Sequence, residues 1–158
     1  MSEENTLKQP SATFALWLCF AAIACGDNQD PDGARELWRK LQALDYRSWE
    51  RAPGYAQRRA SNAPHSDAVE IFVNDVVADA LESESASDSW PVGSLIVKDG
   101  WDGDTLDLVA VMEKRASGWY WAEYDGGGDA DYSGSPSVCI DCHRSGDDFV
   151  RAFGLPSP

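Results

Sequence analysis

Five consecutive residues, Cys139-Ile140-Asp141-Cys142-His143, set two thiols and an imidazole at a spacing with chemical consequences. On a helical turn, residues three apart share a face, so both sulfurs can form thioethers with the two vinyl groups of one haem. His143, next along, then lies beneath the iron as its proximal ligand. C-x-x-C-H is the pattern of covalent c-type haem attachment. A C-x-x-C redox pair would not need the histidine, and a half zinc site would need a second ligand pair, for which the chain offers only His65. The motif therefore predicts one covalently attached haem c, with Cys139 and Cys142 holding the ring and His143 on the metal.

The other two cysteines, Cys19 and Cys25, lie in or just after a short apolar run, Ala12 to Ala24. A membrane span needs about 20 residues, so the run is too short to cross, but it fits the apolar region of a signal peptide. Ala22-Ile23-Ala24-Cys25-Gly26 carries small residues where a signal peptidase cuts, and a cysteine where a bacterial lipobox has one. Residues 1–24 are thus expected to be a signal peptide. Cys25 is then the first mature residue and a candidate lipid anchor, and the location is periplasmic. Cys19 leaves with the signal, so no disulfide framework remains.

The whole chain, 158 residues with a formal net charge of −14, is one domain of ordinary size. A polyanion would be repelled by such a surface, which excludes nucleic acid as a main partner. With 43% apolar residues and seven Trp, the chain can fill a core and is not a disordered acidic tail.

The positioning elements follow from pattern. Residues 25–33 read as a polar linker and 34–158 as the haem domain. Asp30-Pro31 starts a helix that runs to about Asp45, with Leu37, Trp38, Leu41 and Leu44 on one face. Arg47 to Asp67 reads as loop, the stretch from Ala68 in which Val69, Ile71 and Val73 alternate with Glu70, Phe72 and Asn74 as a strand, and Val76 to Leu81 as a short helix. Strands are expected at Ser94 to Lys98, Thr105 to Arg115 and Gly118 to Asp125, followed by a flexible loop from Gly126 to Pro136. The haem-binding turn and a short helix from Asp147 to Phe153 close the domain. The class is α+β: an antiparallel meander with flanking helices and a C-terminal haem-binding helix. Helical electron-transfer cytochromes and four-helix bundles do not fit this layout.

From about Tyr46 to Phe153 the chain resembles the cytochrome P-460 family, which includes the beta-sheet cytochromes called c′-beta. The resemblance rests on Tyr46-Arg47-Ser48-Trp49, on Val69 to Asp75, and on Trp90-Pro91-Val92-Gly93-Ser94 through Lys98. It continues through Val111 to Arg115, Gly118 to Tyr124, Cys139 to His143 and Asp148-Phe149. It implies a homodimeric sheet protein with a five-coordinate haem whose open iron position binds small ligands. In cytochromes P-460 proper, a lysine is bonded to the haem ring and hydroxylamine is oxidised with help from a distal carboxylate. In c′-beta members there is no such bond, apolar side chains cap the iron, and nitric oxide binds.

Lys98 lies in the segment resembling the cross-linking region, and period-two alternation puts it on one face with Ser94 and Ile96; a solvated or salt-bridged surface lysine beside Asp99 is its alternative. Lys114 competes for that role, but Glu113 and Arg115 beside it suggest the exposed end of a strand. Glu123, sharing a face with Trp119 and Trp121, matches the distal carboxylate, with an edge-strand charge as its alternative. Phe72, opposite Val69, Ile71 and Val73, is a candidate cap over the iron, with ordinary core packing as its alternative. Met112 reads as core or as a sixth ligand, and His65 as an iron ligand, a propionate partner or a solvated loop residue. Three functions follow: a hydroxylamine oxidoreductase serving a redox partner protein, a nitric oxide binding protein without turnover, and a simple electron carrier with two strong axial ligands.

Overall fold

The computed structural model describes residues 28–83 and 87–156. The expected signal peptide and Cys25 lie outside the described residues. Within them no helix is long and apolar enough to cross a membrane.

The architecture is α+β. Helix α1 (Pro31–Ala43) is followed by a single 3-10 turn (Tyr46–Ser48) and two short strands, β1 (Glu50–Arg51) and β2 (Arg59–Ala60). Next come β3 (Ala68–Val73), α2 (Asp75–Glu82), β4 (Leu95–Asp102), β5 (Thr105–Arg115), β6 (Gly118–Asp125), β7 (Ala130–Gly134) and α3 (Ser137–His143). The strands form one antiparallel seven-stranded sheet in the order β1-β3-β4-β5-β6-β7, with β2 pairing beside β1 on the same edge of β3.

Strict alternation sorts the sheet into two faces. Register aligns Phe72, Val97, Val111 and Ala122 across β3 to β6, and α1 covers this row with Ala34, Leu37 and Leu41. The next row, Ile71, Lys98, Ala110, Glu123 and Tyr132, points the other way. On that second face Val73, Ile96, Met112, Trp119 and Trp121 pack with Trp90, Val77 and Val150.

Helix α1 begins as expected. Asp30 caps it by accepting from the Gly33 amide at 3.0 Å, and Pro31 occupies the first turn, where a missing N–H costs nothing. Residues 28–33 of the expected linker are part of the fold. Asn28 bridges to Ser133 of β7 and donates to the Ala130 carbonyl at 2.8 Å, and the Asp30 amide donates to Ser133 Oγ at 2.7 Å.

Three other expectations are corrected. Strand β4 runs on to Asp102 through what reads as a turn, because Asp99 is fully buried and satisfied there by Tyr46 Oη and Arg47 Nε, each at 2.7 Å. The loop from Gly126 to Pro136 contains β7, whose Gly, Asp and Ser content hides it from any alternation test. No helix spans Asp147 to Phe153. Asp147 and Val150 instead form an antiparallel bridge around Asp148 (φ +44°) and Phe149 (φ +69°), the φ signature of a type I′ turn.

Helix α1 is also tied to β5 by charge. Lys40 Nζ and Arg115 Nε donate to Glu113 at 2.7 and 2.6 Å. Burial alone would raise the Glu113 pKa, but these two donors outweigh it and hold the carboxyl below its ordinary value. A depressed folded pKa adds stability above the unfolded pKa, and that stability disappears as pH falls through the folded value. Wild type should therefore exceed Glu113→Gln in urea midpoint at about pH 7, with the gap closing below about pH 4. An equal gap at both ends would show that the ion pairs do not contribute.

Candidate functional site

The second face of the sheet and α3 enclose a cavity of about 620 Å³. Its walls carry Cys139, Cys142 and His143 from α3, Lys98 from β4, Met112 from β5, Trp121 and Glu123 from β6, and His65 from the loop before β3. Both histidines of the chain thus face one space.

His143 is held in one orientation. Its Nδ1 donates to the Phe149 carbonyl at 2.9 Å, and its ring lies edge-on to Trp121 with centroids 4.9 Å apart. Burial pushes its pKa down to about 4, so the ring is neutral and carries its proton on Nδ1. A neutral imidazole with Nδ1 occupied offers Nε2 to a metal, and this backbone carbonyl is the usual kind of outer partner.

The accepting carbonyl belongs to the strained turn, and the sheet grips that turn from three sides. Lys114 Nζ donates to both oxygens of Asp148, at 2.9 and 2.7 Å, and the Trp90 amide donates to Asp148 Oδ2 at 2.8 Å. Trp119 Nε1 donates to the Asp148 carbonyl at 2.8 Å, and Trp90 Nε1 to that of Asp147 at 3.3 Å. A bulky residue at positive φ costs about 1–3 kcal/mol and persists only where its surroundings over-determine it. Lys114 is thereby corrected: it is not an exposed strand end but a largely buried tether, 14% exposed.

Lys98 and Glu123 are brought to the same cavity, two strands apart in one cross-strand row with Ala110 between them. Burial is the main influence on the Lys98 amine and lowers its pKa, against the pull of Cys142 and Glu123. Glu123 Oε2 stands 3.0 Å from His65 Nδ1. Arg151 Nη1 donates to the Cys142 carbonyl at 3.0 Å and lies 3.4 Å from its sulfur. Met112 packs on the cavity face. Phe72 lies elsewhere. It is buried on the α1 face against Tyr46, beneath the Arg51 guanidinium at 4.1 Å, so it caps nothing in this cavity.

The residues present fit a haem. The apolar walls, the two thiols on one short helix and the oriented imidazole all open on one cavity of suitable size. A zinc site is not completed, since no group of three or more His, Cys, Asp or Glu side chains placed for a metal occurs among the described residues.

An antiparallel sheet closed on one face by a C-x-x-C-H helix defines a c-type haem cytochrome of the sheet class. The family model for cytochrome P460 matches residues 43–150, well over half of the chain, and the protein belongs to that family. No curated protein and no solved structure gives a significant match.

Asp148→Ala should cost about 2–4 kcal/mol in urea unfolding, because it strands a largely buried lysine and the Trp90 amide. Asp148→Asn should cost less, since asparagine tolerates the left-handed conformation and keeps an acceptor. Equal losses would mean that the charge paired with Lys114, and not the backbone conformation or a neutral acceptor, carries the cost.

Proposed function

We propose that this cytochrome P460 is an exported mono-haem protein that oxidises hydroxylamine at a five-coordinate haem c and passes the electrons to a redox partner protein. The observation that carries this reading is the convergence of Lys98 and Glu123 on the cavity that holds the C-x-x-C-H motif. Cys139 and Cys142 would hold the group covalently and His143 would ligate its iron. Bound there, the haem supplies a redox-active metal with an open position for a small nitrogen compound.

The chain's own residues then have separate tasks. The Phe149 carbonyl keeps His143 in the ligating tautomer. Glu123, an acceptor-only group when ionised, takes a proton from the hydroxylamine nitrogen or oxygen as its electrons leave. Lys98, disfavoured as a cation by burial, would present an amine lone pair to a haem held in this cavity. Apolar walls from Ile71, Ile96, Met112 and Trp121 keep water from the ligand. Those same walls favour the second reading, a c′-beta-like protein that binds nitric oxide without turnover. Export, lipid attachment at Cys25 and a homodimer complete the proposal.

A tryptic peptide map of the haem-loaded protein separates the two readings. A haem peptide containing Cys139 to Arg144, also joined to the Lys98 peptide and uncleaved after Lys98, is the expected result. Separate peptides with ordinary cleavage would favour nitric oxide binding. With an artificial electron acceptor, Lys98→Ala and Glu123→Gln should each lower hydroxylamine oxidation by about a hundredfold or more. Normal turnover in both variants would overturn the oxidase reading, and a low-spin resting spectrum would point to a simple electron carrier.

A further inference from the structure

His65 has no task in the reaction as written, yet the fold takes trouble over its position. Its loop is anchored at both ends, by the Ala60 to Ala68 pairing and by the Ser61 amide donating to the Asp67 carbonyl at 2.8 Å. The next residue, Ser66, is left-handed at φ +70°, and its hydroxyl donates to Asp107 at 2.5 Å. Beneath the loop lies Gly100, at a register irregularity of β4. A Cβ there would stand 2.7 Å from Ser66 Oγ and 3.0 Å from the His65 carbonyl oxygen, so only glycine lets the loop sit this close.

This placement delivers the ring to the cavity. His65 and Glu123 side chains are only 16% and 18% exposed, and the two rings, His65 and His143, stand 6.3 Å apart between centroids. An ionised carboxylate can only accept, so Nδ1 is the donor to Glu123. A glutamate on a strand has three rotatable side-chain bonds, and this one hydrogen bond selects among the orientations they allow.

We propose that His65 is a positioning residue of the haem cavity, holding the Glu123 carboxylate toward the space that His143 also faces, where it would meet a small ligand. The inference rests on the haem reading above and deepens its account of Glu123. His65 acts through its Nδ1–H and is not itself an iron ligand.

The test is cyanide binding to the ferric haem-loaded protein at one fixed pH, with the resting spectrum recorded first. Cyanide arrives as HCN and binds as the anion, so its proton must pass to an acceptor, and the association rate reports where that acceptor stands. His65→Leu and His65→Gln should each slow association about tenfold. His65→Asn, whose amide nitrogen takes the place of Nδ1, should restore a rate near wild type, and it also serves if the leucine variant folds poorly. In Glu123→Gln, adding His65→Leu should cost nothing more, as expected for two residues acting as one unit. The resting spectrum should be high-spin in every variant.

Three results would overturn the proposal: a low-spin wild type turned high-spin by His65→Leu, losses that multiply in the double variant, or an asparagine variant no better than leucine. Absence of hydroxylamine turnover in wild type would instead sink the oxidase reading and leave the cyanide result standing.

Discussion

The site depends on one anchored turn. Asp148 accepts from Lys114 and from the Trp90 amide, and those bonds hold Asp148 and Phe149 in a left-handed pair that neither residue would choose alone. What the strain secures is a carbonyl aimed at His143 Nδ1. An imidazole at the end of a short helix would otherwise swing about two bonds. Here it is fixed by groups from β5, β6 and the segment before β4, so the rigidity of the sheet is passed to the ring.

The sheet divides labour between its faces. One face packs on α1 and includes the buried Asp99, whose partners Tyr46 and Arg47 come from the segment just after that helix. The other face carries chemistry on alternate residues of the same strands. Val97 and Lys98 are neighbours in sequence, yet the first is core and the second lines the cavity. Such an arrangement lets a charged group enter an apolar cavity without any break in the strand that carries it.

Much of this was legible from residues alone. The C-x-x-C-H spacing, the Asp30-Pro31 helix start and the alternation in β3, β5 and β6 place the motif, α1 and most of the sheet. Period two also put Lys98 with Ile96 and Glu123 with Trp121. That the two rows are one row depends on strand register through Ala110, which no local pattern encodes. Phe72 shows the same limit. Alternation correctly set it opposite Ile71 but could not say which face holds the cavity. The turn at Asp148 was hidden because its sequence lacks the Asn-Gly or Asp-Gly signature of its type, and contacts distant along the chain impose it. The bond between His65 and Glu123 joins residues 58 apart, one of them in a loop without pattern.

Helix α3 is seven residues long, has no side-chain cap and fully buries none of its residues, and Cys142 is exposed. A segment that short gains little from helix formation by itself, and it meets the sheet through Cys139, Ile140 and the His143 ring against Trp121. The strands can thus pair and bury their tryptophans while both thiols are still reachable by whatever enzyme would make the thioethers. Were a haem attached there, its attachment would come as a late stitch on a finished fabric, with assembly of the scaffold and installation of its reactive group as separate events.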